Sequence, residues 1–104
     1  MSDADGPPRA RLDVWLWRAR FFRTRSLAAE AAAKGLRVNG QRVAKPGAGL
    51  KTGDVLTFAQ AGRIRVIEVA ALGDRRGPAA EAQALYVDRD PPADAAPDAG
   101  EGPP

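Results

Sequence analysis

The chain has 104 residues, a formal net charge of +3, and neither cysteine nor histidine. It can therefore form no disulfide, and it lacks the commonest metal ligand and the commonest general base near neutral pH. No apolar run approaches membrane-spanning length, and no charged-then-apolar signal segment opens the chain. These absences favour a cytoplasmic, non-catalytic protein, in which we expect no catalytic residue, cofactor or metal site.

Composition divides the chain into one candidate folded unit and two tails. Residues 1–8 and 91–104 consist almost entirely of Pro, Gly, Ala, Asp, Glu and Ser. Segments of this kind bury too little apolar surface to offset the entropy lost on ordering. We therefore expect a disordered N-terminus over 1–8, a single small domain over 9–90, and a disordered, acidic, Pro-rich tail over 91–104.

The charges are distributed unevenly along the chain. Residues 9–65 hold 13 basic and 3 acidic side chains, a net charge of +10, whereas residues 66–104 hold 3 basic and 8 acidic ones, a net charge of −5. A folded block this basic is the electrostatic footprint expected for a polyanion partner. A merely soluble surface usually mixes both signs more evenly.

The first predicted element is a helix over residues 14–22 with Asp13 as its N-cap. Residues at helical spacing form its core-facing stripe, namely Leu12, Trp15, Leu16, Ala19 and Phe22. Trp17 falls on another side of this helix and needs a separate cover. The candidates are the C-terminal segment, a partner or a nucleobase, and the first is favoured.

A second helix is expected to begin at a cap formed by Thr24 or Ser26 and to run to Lys34. Its apolar face is small, with Leu27 followed by three alanines, Ala28, Ala31 and Ala32. Gly35 lies where a left-handed C-cap is expected.

The clearest local signal is Asn39-Gly40 between two alternating runs, which predicts a hairpin with a two-residue type I′ turn. This register pairs Arg37 with Arg42 on the outer face and Leu36 with Val43 on the inner face. Facing arginines repel each other, so an anion between them would stabilise the pair. Splaying of the two side chains into water is the competing interpretation.

Two further strands are expected over residues 55–58 and 63–69, followed by a short helix from Pro78 to about Tyr86. The fold class predicted from these elements is α+β. Two short helices pack on a small, mainly antiparallel sheet, and a short C-terminal helix is appended.

The candidate binding residues cluster around the two helices and the hairpin. Arginine predominates among them, and its planar fork suits bidentate contacts to phosphate and stacking on bases. The candidate contacts are Arg11, Arg18, Arg20, Arg23, Thr24, Arg25, Lys34, Arg37, Asn39, Arg42 and Lys45. No multi-aromatic surface for stacking several bases is evident, so we expect recognition of folded RNA by shape.

The same region resembles the S4 RNA-binding domain. The resemblance covers roughly residues 9–58 and depends on three segments at fixed spacing: Arg11-Leu12-Asp13, Thr24-Arg25-Ser26-x-Ala28, and Gly35-x-x-Val38-Asn39-Gly40. It implies that the two helices and the loops around them form an RNA-binding face. S4 domains often accompany a catalytic domain, and we expect none in this protein.

Two longer segments resemble the heat-shock protein 15 family of small bacterial S4 proteins. They are Trp15-Leu16-Trp17-x-x-Arg20-Phe21-x-x-Thr24-Arg25 and the stretch from Arg75 to Tyr86. This resemblance implies binding to ribosomal RNA of the large ribosomal subunit, and to tRNA, in rescue of stalled nascent-chain complexes. The acidic tail departs from the basic extension that family members often carry. We also expect a monomer without membrane contact.

Two other interpretations remain open at this stage. A DNA-binding regulator is one, because two short helices joined by a basic turn loosely suggest helix-turn-helix, although the second helix offers few base-reading side chains. An RNA-binding accessory module of an RNA-modifying enzyme is the other.

Overall fold

The computed structural model of the protein describes residues 8–60 and 62–89. Within these ranges the helices are α1 (Leu12–Arg18), α2 (Arg25–Lys34) and α3 (Ala79–Gln83). The strands are β1 (Ala10–Arg11), β2 (Leu36–Val38), β3 (Gln41–Val43), β4 (Gly49–Leu50), β5 (Val55–Gln60), β6 (Arg63–Val69) and β7 (Tyr86–Asp88). The tails expected over 1–8 and 91–104 lie, apart from Pro8, outside the described residues.

All strand pairs are antiparallel and form two sheets. One has five strands in the order β3-β2-β5-β6-β7, and the other pairs β1 with β4. The predicted α+β class is confirmed. The sequence missed β1, β4 and β7, which are only two or three residues long and pair with distant segments. No helix in the described ranges is both long and apolar enough to cross a membrane.

The start of α1 differs from the prediction because backbone carbonyls replace a side-chain cap. The N–H groups of Leu12 and Asp13 donate to Ala48 O (2.8 Å) and Pro46 O (3.0 Å). Pairing of β1 with β4 brings this loop alongside the helix. The expectation that Asp13 caps the helix is therefore wrong, and Asp13 lies inside the first turn of α1.

The end of α1 also differs from the prediction, because the helix stops at Arg18 rather than Phe22. Arg20 adopts a φ of 65°, and the chain turns there so that Phe21 N donates to Leu16 O at 3.0 Å. Phe21 consequently joins the core, whereas Phe22 is half-buried. A helical stripe continued through Phe22 could not anticipate this break in periodicity.

Helix α2 begins as predicted, with Thr24 as N-cap: its hydroxyl accepts a hydrogen bond from Leu27 N at 3.1 Å. Ala28 and Ala32 are buried, and the small residues allow α1 to approach closely. Leu27 is 44% exposed, so its assignment to the buried face is wrong. Gly35 ends the helix with a positive φ of 105° but an extended ψ of 136°, rather than in the left-handed helical region.

The hairpin prediction is confirmed in register and turn. Arg37 pairs with Arg42 and Leu36 pairs with Val43, while Asn39 and Gly40 adopt φ values of 52° and 84°. Positive φ at both central residues is the requirement of a type I′ turn. Both arginines are exposed, and Leu36 is buried beneath them.

The C-terminal segment covers Trp17 on α1, which is the cover that the sequence favoured. The guanidinium of Arg76 lies 5.7 Å from the ring centroid of Trp17, and its Nε donates to Trp17 O at 3.1 Å. Helix α3 is shorter than predicted, because Tyr86 pairs with Val69 and begins β7 instead of extending the helix.

A polar network centred on the buried Asp54 ties the hairpin turn to the start of β5. The Asn39 side chain donates to Asp54 Oδ1 (3.0 Å) and accepts from Val55 N (2.9 Å). The carboxylate of Asp54 also accepts hydrogen bonds from the backbone N–H and the ammonium of Lys51. Because Asp54 is 4% exposed, these donors are needed to offset the cost of burying its charge.

The pKa of Asp54 is consequently lower than its ordinary value. Burial alone would raise this pKa, but hydrogen bonds from Lys51 and Asn39 and the Lys51 charge together outweigh that effect. A carboxyl whose pKa is lower in the folded state stabilises the fold at neutral pH. The stabilisation is lost as the pH falls below the unfolded-state pKa of about 3.9 towards the folded-state value.

We therefore expect Asp54→Asn to lower the free energy of unfolding at neutral pH by about 1–3 kcal/mol, because one carboxylate oxygen becomes an amide facing donors. The variant should also lose less stability than the wild type on acidification below about pH 4. Urea denaturation across a pH series measures both effects. Asp74→Asn, in an exposed loop, is the control. Parallel pH profiles for wild type and Asp54→Asn would contradict the expectation.

Candidate nucleic-acid interface

One part of the basic surface is assembled where α1 and α2 begin. Arg11 forms a bidentate ion pair with Asp13, with Nε–Oδ1 and Nη2–Oδ2 distances of 3.1 Å. Asp13 is 4% exposed, whereas the Arg11 side chain is 55% exposed. Arg11 is thus held by a carboxylate beneath it, and its remaining N–H groups can donate to an incoming group.

The pKa of Asp13 shows that Arg25 belongs to the same neighbourhood. Burial alone would raise this pKa, but hydrogen bonds from Arg11 and Val14 N and the charges of Arg11 and Arg25 bring it below its ordinary value. The hydrogen bond and charge of Asp13 in turn raise the pKa of Arg11. Asp13 therefore stays ionised at neutral pH and fixes Arg11 close to the start of α2.

The N-terminus of α2 adds a favourable environment for anions. The first turn of a helix carries N–H groups without intrahelical acceptors and the positive end of the helix dipole. Thr24 uses its hydroxyl to satisfy Leu27 N, so this predicted contact acts structurally as the helix cap. Arg23 and Arg25 are exposed on either side of Thr24.

Arg18 and Arg20 are directed towards the C-terminal segment. Arg18 Nη1 donates to Gly73 O at 3.0 Å, and Arg20 Nε donates to Gly77 O at 2.7 Å. These bonds fasten the segment that covers Trp17. An RNA contact by either residue would use the N–H groups that remain, and it stays a prediction.

A second part of the basic surface lies where α2 ends against the hairpin. Arg42 Nη2 donates to Lys34 O at 3.0 Å and so satisfies a carbonyl in the last turn of α2. Its guanidinium passes over Gly35, where a Cβ would approach Arg42 Nη2 to 2.7 Å. Gly35 is therefore favoured for its positive φ, and a larger residue there would also displace the Arg42 guanidinium from its position.

The facing arginines of the hairpin separate along the strands. Arg37 Nη1 donates to Gly40 O (3.1 Å) at the turn, whereas Arg42 reaches back to α2. Both still line one open pocket of about 230 Å³ together with Thr57 and Ile64. Without an anion, the two guanidinium groups donate to different carbonyls, one in the hairpin turn and the other at the end of α2.

Asn39 is occupied within the protein. Both ends of its amide are used, by Asp54 and by Val55 N, so it holds the turn in place rather than presenting a free amide. The sequence pointed to the Asn39-Gly40 turn but not to Asp54 as its support. Because Asp54 lies 15 residues further along the chain, no local pattern could reveal the bond.

Four of the predicted contacts have side chains that form no hydrogen bond or ion pair among residues 8–60 and 62–89. They are Arg23, Arg25, Lys34 and Lys45, and all four are exposed. The candidate cations therefore form two groups. Some form hydrogen bonds or ion pairs that stabilise the fold, and the others have side chains that are available to bind a ligand. Composition alone does not make this distinction.

Comparison with known proteins places this architecture in a family. A family model described as the S4 domain matches residues 10–56. Heat shock protein 15 of Escherichia coli K12 is 44% identical over 77 residues, which cover 73% of this chain and 57% of that protein. A homolog from Aeromonas salmonicida is 38% identical over 86 residues, covering 82% of this chain and 64% of the relative. The chain therefore matches less than two thirds of the length of these relatives.

A solved structure agrees with the sequence matches. It is heat shock protein 15 of Vibrio cholerae, with a TM-score of 0.72 and 39% identity, covering 78% of this chain and 82% of that one. That protein is described as trimeric, so the expectation of a monomer finds no support in it. Sequence and fold agree over most of the chain, and the protein belongs to the heat shock protein 15 family.

Proposed function

We propose that the protein is a non-catalytic RNA-binding protein of the cytoplasm. Its partners are ribosomal RNA of the large ribosomal subunit and tRNA, and its role is the rescue of stalled nascent-chain complexes. The observation that carries RNA binding is a set of exposed cations whose side chains form no hydrogen bond or ion pair within the described residues, Arg23, Arg25, Lys34 and Lys45, on a block whose net charge is +10.

The chemistry of these cations fits a phosphate backbone better than an acidic protein. Arg23 and Arg25 flank the N-terminus of α2, so side-chain charge, helix dipole and backbone N–H groups act on the same anion. Lys34 lies at the other end of α2, close to Arg42. A charged surface distributed over both ends of a helix suits a ligand with regularly spaced phosphates.

Folded RNA is favoured over duplex DNA by the shape of α2. A helix that reads the major groove presents side chains that reach base edges, and α2 has the sequence RSLAAEAAAK. Only its ends carry cations. The helix is thus equipped to position phosphates, and the surface as a whole suits recognition of RNA by shape.

The ribosomal assignment and the accessory-module alternative are separated by one experiment. Crosslinking in cells followed by sequencing of the bound RNA should enrich large-subunit ribosomal RNA and tRNA. Enrichment of messenger RNA alone, or of DNA, would refute the ribosomal proposal. Stoichiometric recovery of a catalytic partner in the same purification would favour the accessory module.

The first binding prediction concerns Arg25. Arg25→Ala should weaken binding to structured RNA by about 1–3 kcal/mol, because a charged contact to phosphate is lost. Fluorescence anisotropy at one fixed salt concentration measures the change, and circular dichroism checks that the domain remains folded. Arg89→Ala removes the same charge beside β7, where Arg89 pairs with Glu68, and should have a smaller effect. Equal losses for the two variants would show that net charge, not this site, determines affinity.

The second binding prediction concerns the hairpin arginines, which we propose converge on a phosphate in the complex. Arg37→Gln and Arg42→Gln should each weaken RNA binding and reduce the slope of log affinity against log salt by about one unit. The stabilities should differ, because Arg42 satisfies the carbonyl of Lys34 whereas Arg37 bonds within its own turn. Unchanged RNA affinity with a lower melting temperature would assign the pair a structural role only.

A further inference from the structure

An open groove runs between α2 and β5, and the binding contacts proposed above do not use it. Its volume is about 370 Å³, within the range of small-molecule sites. Leu27, Ala31 and Phe58 contribute apolar surface to its walls. Leu27, which the sequence pattern assigned to the core, is 44% exposed here. A leucine left open beside a cationic surface is a candidate for contact with a partner.

An aromatic pair lies at one side of this groove. The rings of Phe22 and Phe58 have centroids 6.2 Å apart and are tilted by 38°. Phe58 is 6% exposed, whereas Phe22 is half-buried and keeps part of its surface open. Aromatic surface of this kind stacks on a nucleobase without demanding a particular sequence. One pair of rings suits one base, not a stacked series.

Cations occupy the end of the groove at the C-terminus of α2. Lys34 and Gly35 line the groove, and Gly35 also lines the neighbouring pocket between Arg37 and Arg42. The two depressions therefore adjoin, one largely apolar and the other flanked by guanidinium groups. A nucleotide has the same division, because its base is flat and weakly polar and its phosphate is anionic.

We propose that this groove receives a single unstacked nucleobase of a single-stranded RNA segment, with the adjacent phosphates held by Lys34 and Arg42. The proposal rests on RNA binding by the protein and names a subsite for it. A neutral peptide, or the basic part of a second copy of the chain, would gain from the apolar walls but not from the cations beside them. Charge complementarity therefore favours the nucleotide.

The carboxylate on the rim of the groove suggests which bases it prefers. Glu30 lines the groove, is exposed, and makes no hydrogen bond or ion pair among the described residues, even though Lys34 follows one turn later. A free carboxylate can only accept hydrogen bonds, so it favours a base with an exocyclic amino group. Adenine, cytosine and guanine carry one, whereas uracil offers only its ring N3–H as a donor.

The test compares two RNA probes on the full-length protein, a blunt-ended hairpin and the same hairpin with a short single-stranded 3′ overhang. Leu27→Asn should reduce affinity for the overhang probe about tenfold, because the apolar surface of one groove wall against the base is lost, and leave affinity for the blunt hairpin unchanged. Val87→Asn is the matched control, because Val87 is 46% exposed on β7, away from the groove. Circular dichroism verifies that both variants fold.

Two further measurements distinguish the possible outcomes. A 2-aminopurine in the overhang should change its fluorescence on binding to wild type but not to Leu27→Asn. Glu30→Ala should abolish a preference for adenine over uracil overhangs. An overhang advantage that persists in Leu27→Asn would overturn the proposal. So would a change of sedimentation in Leu27→Asn without loss of overhang affinity, which would make the groove a contact between copies. Failure of wild type to bind either hairpin would instead refute RNA binding itself.

Discussion

Burial of Trp15 is the constraint on which the rest of the fold depends. Its indole N–H donates to Ala71 O at 2.9 Å, so the helix that carries Trp15 and the segment after β6 must dock together. Its ring packs 6.1 Å from that of Phe21, which in turn contacts Phe58 on β5 and Tyr86 on β7. Large aromatic side chains contribute much of the apolar area available to so small a core. One aromatic cluster thus joins α1, the loop after it and two strands of the sheet.

This arrangement explains why Arg20 adopts an unusual backbone conformation. A non-glycine residue with φ of 65° is uncommon and costs free energy. The turn at Arg20 brings Phe21 into the aromatic cluster and directs the Arg20 guanidinium to Gly77 O. Aromatic packing and this hydrogen bond offset the strain. The same turn leaves Phe22 beside the groove, so the groove is a consequence of how the core is closed.

The parts of the fold that the sequence predicted are those determined by neighbouring residues. The Asn39-Gly40 turn imposes its register through local φ values, and Thr24 caps α2 through a residue three positions away. The end of α1 and the strand at Tyr86 depend instead on contacts across the domain. Helical periodicity contains no information about such contacts. The helices predicted from it therefore ended too late, in α1 and in α3 alike.

The candidate site divides in the same way. Its chemical character follows from composition, because an arginine-rich block predicts phosphate contacts wherever the side chains lie. Which arginines are free cannot be read from composition, since Arg18 bonds to a carbonyl more than 50 residues away along the chain. The groove beside Leu27 was hidden from the sequence for a related reason. A leucine at helical spacing indicates a buried face until the neighbouring elements are known.

Burial of acidic residues determines the charge that a ligand meets on this surface. Of the three acidic residues between positions 9 and 65, Asp13 and Asp54 are each 4% exposed and bonded to Arg11 and Lys51. Glu30 alone is exposed. An exposed carboxylate among cations weakens their attraction to phosphate. The position of such carboxylates on the surface therefore matters more than how many the chain contains. It lies on the groove and not beside the N-terminus of α2, where it would compete with the anion. The charge pattern is therefore consistent with phosphates bound at both ends of α2 and with a base in the groove beside its C-terminal end.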